Sequence, residues 1–523
     1  MTIIGQKNAS QANGAKQRGA PSLALIAAGL FTLAAAALPV AYLIRRALQI
    51  DSELLRTVVF RAKTLEIFIT TISLVLAVVA FATLIGVSIA WALSNVDLPG
   101  LALLRALVIL PVAIPSYVFT YSWLSLGFLP NGFLAAVVVL TLTTTPYVTL
   151  AALAAFRRID GAQLDVAQTL GLNQRESFFR VTFPQIRNAV GAGSLIVALY
   201  VLSDFGAVSL LGVDTFTRTI QNTYQGSFDR SSAALLALIL VAISSFVIYF
   251  EISFRQRSTL LKSSVRITKR LPALRSLKSR AWALSAILLY IFVALLTPLL
   301  VLLQRFFSRI TPIDLTELLI ASLSTISVSL LGALIAMVLA IPVALLAVRE
   351  TWIGRWSERA VLLVHALPGI VMGLALVSFG SEFPLVYQTT GLLAFAYSIL
   401  FLARSVGSIR TSFAKVPINL TEIASTLGQT KSRIFYRVTL PLAAPGVLTG
   451  ILLVFLSAMK ELPATLMLRP TGFETLATEI WNNTAIFRFS EAAPYALLLV
   501  AIAAIPTFLI SRPDRDSERG ELQ

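Results

Sequence analysis

The sequence predicts an all-α, polytopic membrane protein of about 12 transmembrane helices, built as two tandem six-helix halves. Three observations carry that prediction. The 523 residues are 57% hydrophobic and 13% charged, with a mean hydropathy of +0.84. That is about half the charge share of a soluble chain. Apolar runs such as "TTISLVLAVVAFATLIGVSIAWAL" exceed the roughly 20 residues that span a bilayer as a helix. Finally, the polar stretch Leu164–Pro184 returns as Thr421–Pro441, 257 residues later.

A chain in lipid satisfies its own backbone hydrogen bonds, so it spans as helices or as a closed barrel. The apolar runs do not alternate, which excludes the barrel. Twelve spans are read at 22–44, 67–94, 103–125, 132–156, 190–212, 232–250, 281–303, 319–348, 360–379, 389–404, 446–468 and 492–511. The first, Ser22–Ile44, has the small residues of a cleaved signal in "LAAAALP", but its length and place in the series favour a retained span. With the N-terminus inside, the inner segments hold 28 of the 42 Lys and Arg and the outer ones 11, with Arg105, Arg404 and Lys460 within spans. This positive-inside bias puts both termini in the cytoplasm. The net charge of +17 is therefore a topological signal and not a nucleic-acid patch. The densest basic run, Arg255–Arg280, falls on the inner side and reads as a linker held at the anionic leaflet.

The repeat extends beyond the polar stretch. "ILPVAIP" around Pro111 pairs with "HALPGIV" around Pro368, Gly193 with Gly450, and Asp204 of "LSDFGAVSLL" with Glu461 of "MKELPATLML", all at the same offset. The domain plan is a first half at 1–254, the basic linker at 255–280 and a second half at 281–523. An even number of spans per half makes the repeats parallel, related by an axis along the membrane normal with a pathway between them.

Each polar stretch falls between the fourth and fifth spans of its half. Nine of the 21 aligned positions are identical, among them Ala167/Ala424, Gly171/Gly428, Phe178/Phe435 and Pro184/Pro441. Val166, Ala167 and Leu170 share one face of a short helix, as do Ile423, Ala424 and Leu427. Gly171 and Gly428 stand where a helix end needs a left-handed residue. Pro184 and Pro441 suit the first turn of the next span. Each half thus offers a short helix, a sharp turn and an apolar knob to the cytoplasm, and an apolar knob wants a cover. Loops packed on their own membrane helices are the other reading of the same apolar positions.

These stretches resemble the Glu-Ala-Ala-x3-Gly-x9-Ile-x-Leu-Pro loop of the membrane subunits of binding-protein-dependent ABC importers. Asp165 and Glu422 take the Glu place, Ala167 and Ala424 the second Ala, Gly171 and Gly428 the Gly, and Pro184 and Pro441 the Pro. Asp165 is one methylene short, Val166 and Ile423 replace the first Ala, and Val181 and Val438 replace the Ile. The resemblance implies two type I ABC importer permease halves, whose loops dock into two copies of an ATPase subunit. ATP and Mg would sit on that partner, with no cofactor in this chain. It also implies a substrate-binding protein outside and a place in the bacterial inner membrane. The phrases "SDFGA" and "KELPATLMLRPTGFETLATEIW" look most like the ferric-iron (FbpB-like) permeases, with fused thiamine permeases the alternative.

Little else in the sequence points to chemistry. It has no Gly-Lys dipeptide, hence no Walker A phosphate loop, so hydrolysis belongs to another chain. There is no cysteine and no metal-ligand cluster. The single histidine, His365, reads as a hydrogen-bonded interior residue. Asp204, Lys460 and Glu461 are charges inside the apolar runs, which face an interior or a water-filled cavity. They are candidates for a pathway lining or gate, against charges solvated or paired near a helix end. Pro111 and Pro368 are candidate kinks of pore-side helices. A secondary transporter would need mid-membrane coupling residues, for which only Asp204 and Glu461 offer themselves. A membrane-bound enzyme would need an acid–base or metal constellation that the sequence lacks.

Overall fold

The computed structural model describes residues 22–49, 52–127, 130–159, 161–226, 230–260, 276–349 and 352–511. Most of the basic linker read at Arg255–Arg280 lies outside the described residues, as do both chain ends. Every regular element among the described residues is a helix. Nine of these helices are long and apolar enough to cross a membrane, and three bent pairs bring the number to 12. At 34 residues, Ala62–Asn95 and Leu315–Val348 are each about 50 Å long, well beyond a hydrocarbon core of about 30 Å.

The bends explain where proline sits. Leu101–Ala113 and Ser116–Ser125 meet at 93°, and Trp352–Val364 and Gly369–Glu382 at 97°. Sequence offset pairs Pro111 with Pro368, but the structure gives them different places. Pro368 caps Gly369–Glu382 with φ −61° and ψ 151°, and its counterpart is Pro115, which caps Ser116–Ser125 with φ −60° and ψ 148°. Pro111 lies in the tight turn Leu110–Ala113 just before that cap. Proline suits all three positions because its N–H is not needed there and its φ is already set.

Two expected spans are displaced. The fifth, read at 190–212, is Phe178–Ser203, and the eleventh, read at 446–468, is Ser432–Ala458. Arg180, Gln185, Arg187 and Asn188 make the start of the fifth too polar to look like a span, yet the helix runs through them. Each span then stops short. A break at Asp204–Phe205 precedes the short helix Gly206–Leu210, and a break at Met459–Leu462 precedes Pro463–Leu468.

The helices pack into two compact units, which are a different division of the chain from the sequence halves. One unit holds the first helix, Leu23–Leu48, together with 321–475. There Thr32 Oγ1 donates to the Leu339 carbonyl at 3.0 Å, and Gly29 lies against the Leu346 side chain. The tip of Leu23–Leu48 reaches Glu382, which accepts from Arg45 Nη1 at 2.9 Å and from the Tyr42 hydroxyl at 3.1 Å. The other unit holds 47–320 and the end of the chain from Leu476. In it, Ala62–Asn95, Phe133–Phe156 and Phe183–Ser203 pack side by side. Gly86 and Gly193 permit the approach, for a Cβ on either would stand 2.9 Å from Val148 or Ala151. Tyr290 donates to the Leu142 carbonyl at 3.0 Å, and Tyr121 donates to the Phe489 carbonyl at 2.5 Å.

Candidate functional site

The repeated polar stretch folds the same way in both units. In the first copy, Gly161–Thr169 is a helix ended by Gly171 at φ 84°; in the second, Ile418–Thr426 is ended by Gly428 at φ 75°. A left-handed residue lets the chain turn back and satisfy the last carbonyls. Gly171 N–H donates to the Gln168 carbonyl at 2.9 Å and Leu172 N–H to Ala167 at 3.1 Å. Gly428 and Gln429 repeat this on Ser425 and Ala424 at 3.0 and 3.2 Å. These paired bonds form the Schellman closure, and they explain the fixed Ala-x3-Gly spacing: the Ala carbonyl receives the outer bond.

The apolar face divides between shelter and exposure. Ala167 is 4% exposed, whereas Leu170 is 78% and Leu427 73% exposed. Val166 and Ile423 are exposed as well. Each loop therefore presents a branched residue and a leucine, one turn apart, to the surroundings. Burying two such side chains in a partner would contribute on the order of 3–6 kcal/mol before the costs of association.

A second turn follows. Asn173 and Glu176 cap it reciprocally: Glu176 N–H donates to Asn173 Oδ1 at 2.9 Å, and Asn173 N–H to Glu176 Oε2 at 3.1 Å. In the second copy Thr430 alone receives the Arg433 N–H, at 3.4 Å. Both copies then widen into a π-helical turn, Phe178–Thr182 and Phe435–Thr439. Pro184 and Pro441 stand two residues beyond, inside a helix that has already begun. Within a continuous helix, proline collides with the carbonyl four residues back, and a widened turn before it opens that contact. Phe435 packs 6.1 Å from buried Phe413, centroid to centroid, while Tyr436 and its counterpart Phe179 are exposed.

The charged candidates lie at the far ends of the same helices. Asp204 is buried and caps Gly206–Leu210, with Oδ1 accepting from Ala207 N–H at 3.0 Å and Val208 N–H at 3.3 Å. Glu461 Oε1 accepts from Ala464 N–H at 3.1 Å, at the head of Pro463–Leu468. Their own carbonyls accept from Thr217 Oγ1 at 2.6 Å and Thr465 Oγ1 at 2.7 Å. Lys460 is half-buried beside Glu461, and Arg404 lies near both. His365 is bonded through Nδ1 to the Leu400 carbonyl at 3.0 Å, inside a bent pair. The loops and the charged breaks are thus separated by the length of one span in each unit. Sequence reasoning missed the Asn173–Glu176 cap, for which the Asn-x-x-Glu spacing was a usable signal. It also missed the π turns, whose only trace is the proline after them.

Known proteins match this chain along most of its length. Residues 82–257 and 332–512 each match the family described as binding-protein-dependent transport system inner membrane component. The Fe(3+)-transport system permease protein FbpB 2 of Haemophilus influenzae is 32% identical over 485 residues, 91% of this chain and 95% of that protein. The putative 2-aminoethylphosphonate transport system permease protein PhnV of Salmonella typhimurium is 27% identical over 195 residues, 37% of this chain and 73% of its own. A probable molybdenum ABC transporter permease protein of Haloferax volcanii is 31% identical over 211 residues, 39% of this chain and 78% of its own.

Proposed function

The chain belongs to the family of binding-protein-dependent transport system inner membrane components, and from that premise we propose that it is the fused double permease of an ATP-driven importer whose cargo is ferric iron. The observation that carries the mechanism is the pair of Schellman-closed helices, each presenting Leu170 or Leu427 with a branched neighbour. Two equivalent knobs call for two equivalent sockets, one on each copy of an ATPase subunit. The iron assignment is supported by the likeness to FbpB 2, which extends through both halves where the phosphonate and molybdenum relatives align with less than two fifths of the chain.

In this reading the loops face the cytoplasm, as the excess of basic residues on their side implies, and both termini lie there too. A binding protein delivers cargo at the opposite surface. Sockets loaded with ATP bind one arrangement of the knobs better than the other. That difference in affinity shifts the permease between inward and outward openings. Chemistry on ATP stays with the partner, while this chain supplies the docking knobs, the spans behind them and the passage.

The test uses the full chain reconstituted in proteoliposomes with its ATPase and binding protein. Uptake of radiolabelled ferric iron that requires internal ATP is the expected result. Uptake driven by a proton gradient without the ATPase would make the chain a secondary transporter. Capture of thiamine instead of ferric iron by the binding protein would replace the cargo and leave the rest. Because the chain has no cysteine, Leu170→Cys and Leu427→Cys give single attachment points for cross-linkers, and each is expected to capture the ATPase subunit.

A further inference from the structure

In each half the acid at the break of the broken span reaches the first residue of a bent-pair helix, and the two halves do this with complementary sizes. Asp204 lies beside Ser116, which opens the helix Ser116–Ser125. Gly206, two residues on, lies so close that a Cβ there would stand 2.6 Å from Tyr117 Cβ. In the second half the acid is one methylene longer, and Glu461 comes to Gly369, which opens Gly369–Glu382. A Cβ on Gly369 would collide with Glu461 Oε1 and stand 3.0 Å from Pro463 Cγ. The short acid therefore stands beside a serine, and the long acid reaches into an empty side-chain position. Further along the same contact, a Cβ on Gly373 would stand 3.0 Å from Met467 Cβ.

We propose that Asp204 and Glu461 are positioning residues: each latches a bent-pair helix to the end of the span that begins at the coupling loop. Acid length is matched to the residue it meets, Asp with Ser and Glu with Gly. Phe178–Ser203 and Ser432–Ala458 are 26 and 27 residues, rods of about 40 Å. A rod fixed to a docking loop at one end and to a bent-pair helix at the other carries loop movement across the membrane. The latch also explains carboxylates in so apolar a setting. They cap a short helix and hold a neighbouring one, two uses of the same charge at helix N-termini. Its transport consequence rests on the importer reading above.

The experiment is a cycle on the second latch in the full chain with its ATPase and binding protein: Gly369→Ser, Glu461→Asp and the two together, which installs the first half's pairing. Three quantities are read, namely uptake, ATP hydrolysis, and disulfide formation in membranes between Gly373→Cys and Met467→Cys introduced into the cysteine-free chain. Gly369→Ser is expected to lower uptake by about tenfold or more, Glu461→Asp by less, and the double to recover to within about threefold of the parent. ATP hydrolysis is expected to stay within about twofold throughout, which is uncoupling and not loss of fold. Disulfide formation should slow in Gly369→Ser and return in the double. A double no better than its worse single removes the size matching. Uptake and hydrolysis falling together in every variant, at normal membrane levels, reduces the latch to ordinary packing. The disulfide readout needs no cargo, so a parent that fails to carry ferric iron overturns the substrate and leaves the latch standing on its own result.

Discussion

Gly428→Ala isolates the docking loop from everything else in the molecule. Gly428 holds φ 75°, and a Cβ built on it meets nothing within 4 Å. The same holds for Gly171 at φ 84°. Alanine at either site therefore introduces no collision and removes no contact; its cost is the left-handed backbone alone, about 1–2 kcal/mol. Undocked, an exposed loop can relax away from that strain. Docked, it is held in the Schellman closure, so the strain is subtracted from docking. The predicted result is an ATPase affinity weaker by about 5- to 30-fold for each single alanine. Asparagine tolerates the left-handed region, so Gly428→Asn should retain most of the affinity. The assay is titration of the ATPase subunit onto detergent-solubilised permease, with uptake measured in parallel and membrane level as control. Parent-like affinity in Gly428→Ala would mean that docking does not require this turn. Equal losses from Ala and Asn would mean that the side chain itself obstructs the socket, and the strain argument would fall.

Four further outcomes follow from the same structure. Leu427→Asp or Leu170→Asp places a charge where an apolar contact is needed, and should abolish uptake while the permease stays in the membrane and folded, as judged by thermal stability. Ala424→Arg should do the same, since it sets a long cation beside the apolar residues Ile423 and Leu427 that the proposed socket would cover. Asn173→Ala removes a reciprocal cap and should cost about 1 kcal/mol locally, measurable as faster amide exchange over Gln174–Ser177; Thr430→Ala should cost less, because its bond is 3.4 Å long. Arg45→Ala breaks an exposed ion pair and should leave the melting temperature nearly unchanged. Arg305→Ala removes a partly buried cation from the Ser125 carbonyl and the Phe489 ring, worth about 1.5–3 kcal/mol, so it should lower the melting temperature more.

The polar loops were legible in the sequence because local rules govern them. A short apolar face, a glycine for the left-handed turn and a fixed spacing suffice to draw the helix, its end and its exposed knob. The ends of the fifth and eleventh spans were not legible, since hydropathy averages over a window and counts Arg180 and Arg187 against a span. A helix tolerates those residues when they lie near its end, where long side chains reach polar surroundings. Asp204 and Glu461 stood out as costly charges. Their capping of the very next turn was readable in principle from an acid three residues before a free N–H. Their contact with Ser116 and Gly369 was not, for it joins segments about 90 residues apart through tertiary packing alone.

The mismatch between Pro111 and Pro368 shows why a constant offset fails in one place. The loops, the π turns and the acids all repeat at 257, but the caps Pro115 and Pro368 repeat at 253. The missing four residues reappear as length, for Ser116–Ser125 has 10 residues and Gly369–Glu382 has 14. Four residues are close to one helical turn, so the longer helix adds height without rotating its packed face. Its first residue can still meet the acid, while its last turn reaches further. That last turn carries Glu382, an acid at a helix C-terminus where the backbone dipole disfavours it. Arg45 and Tyr42 from Leu23–Leu48 answer that charge. The shorter helix ends on a bare carbonyl, Ser125, and receives Arg305 from the last turn of Thr297–Phe307 directly. Both helices thus end on a cation from another span, one through a carboxylate and one without it.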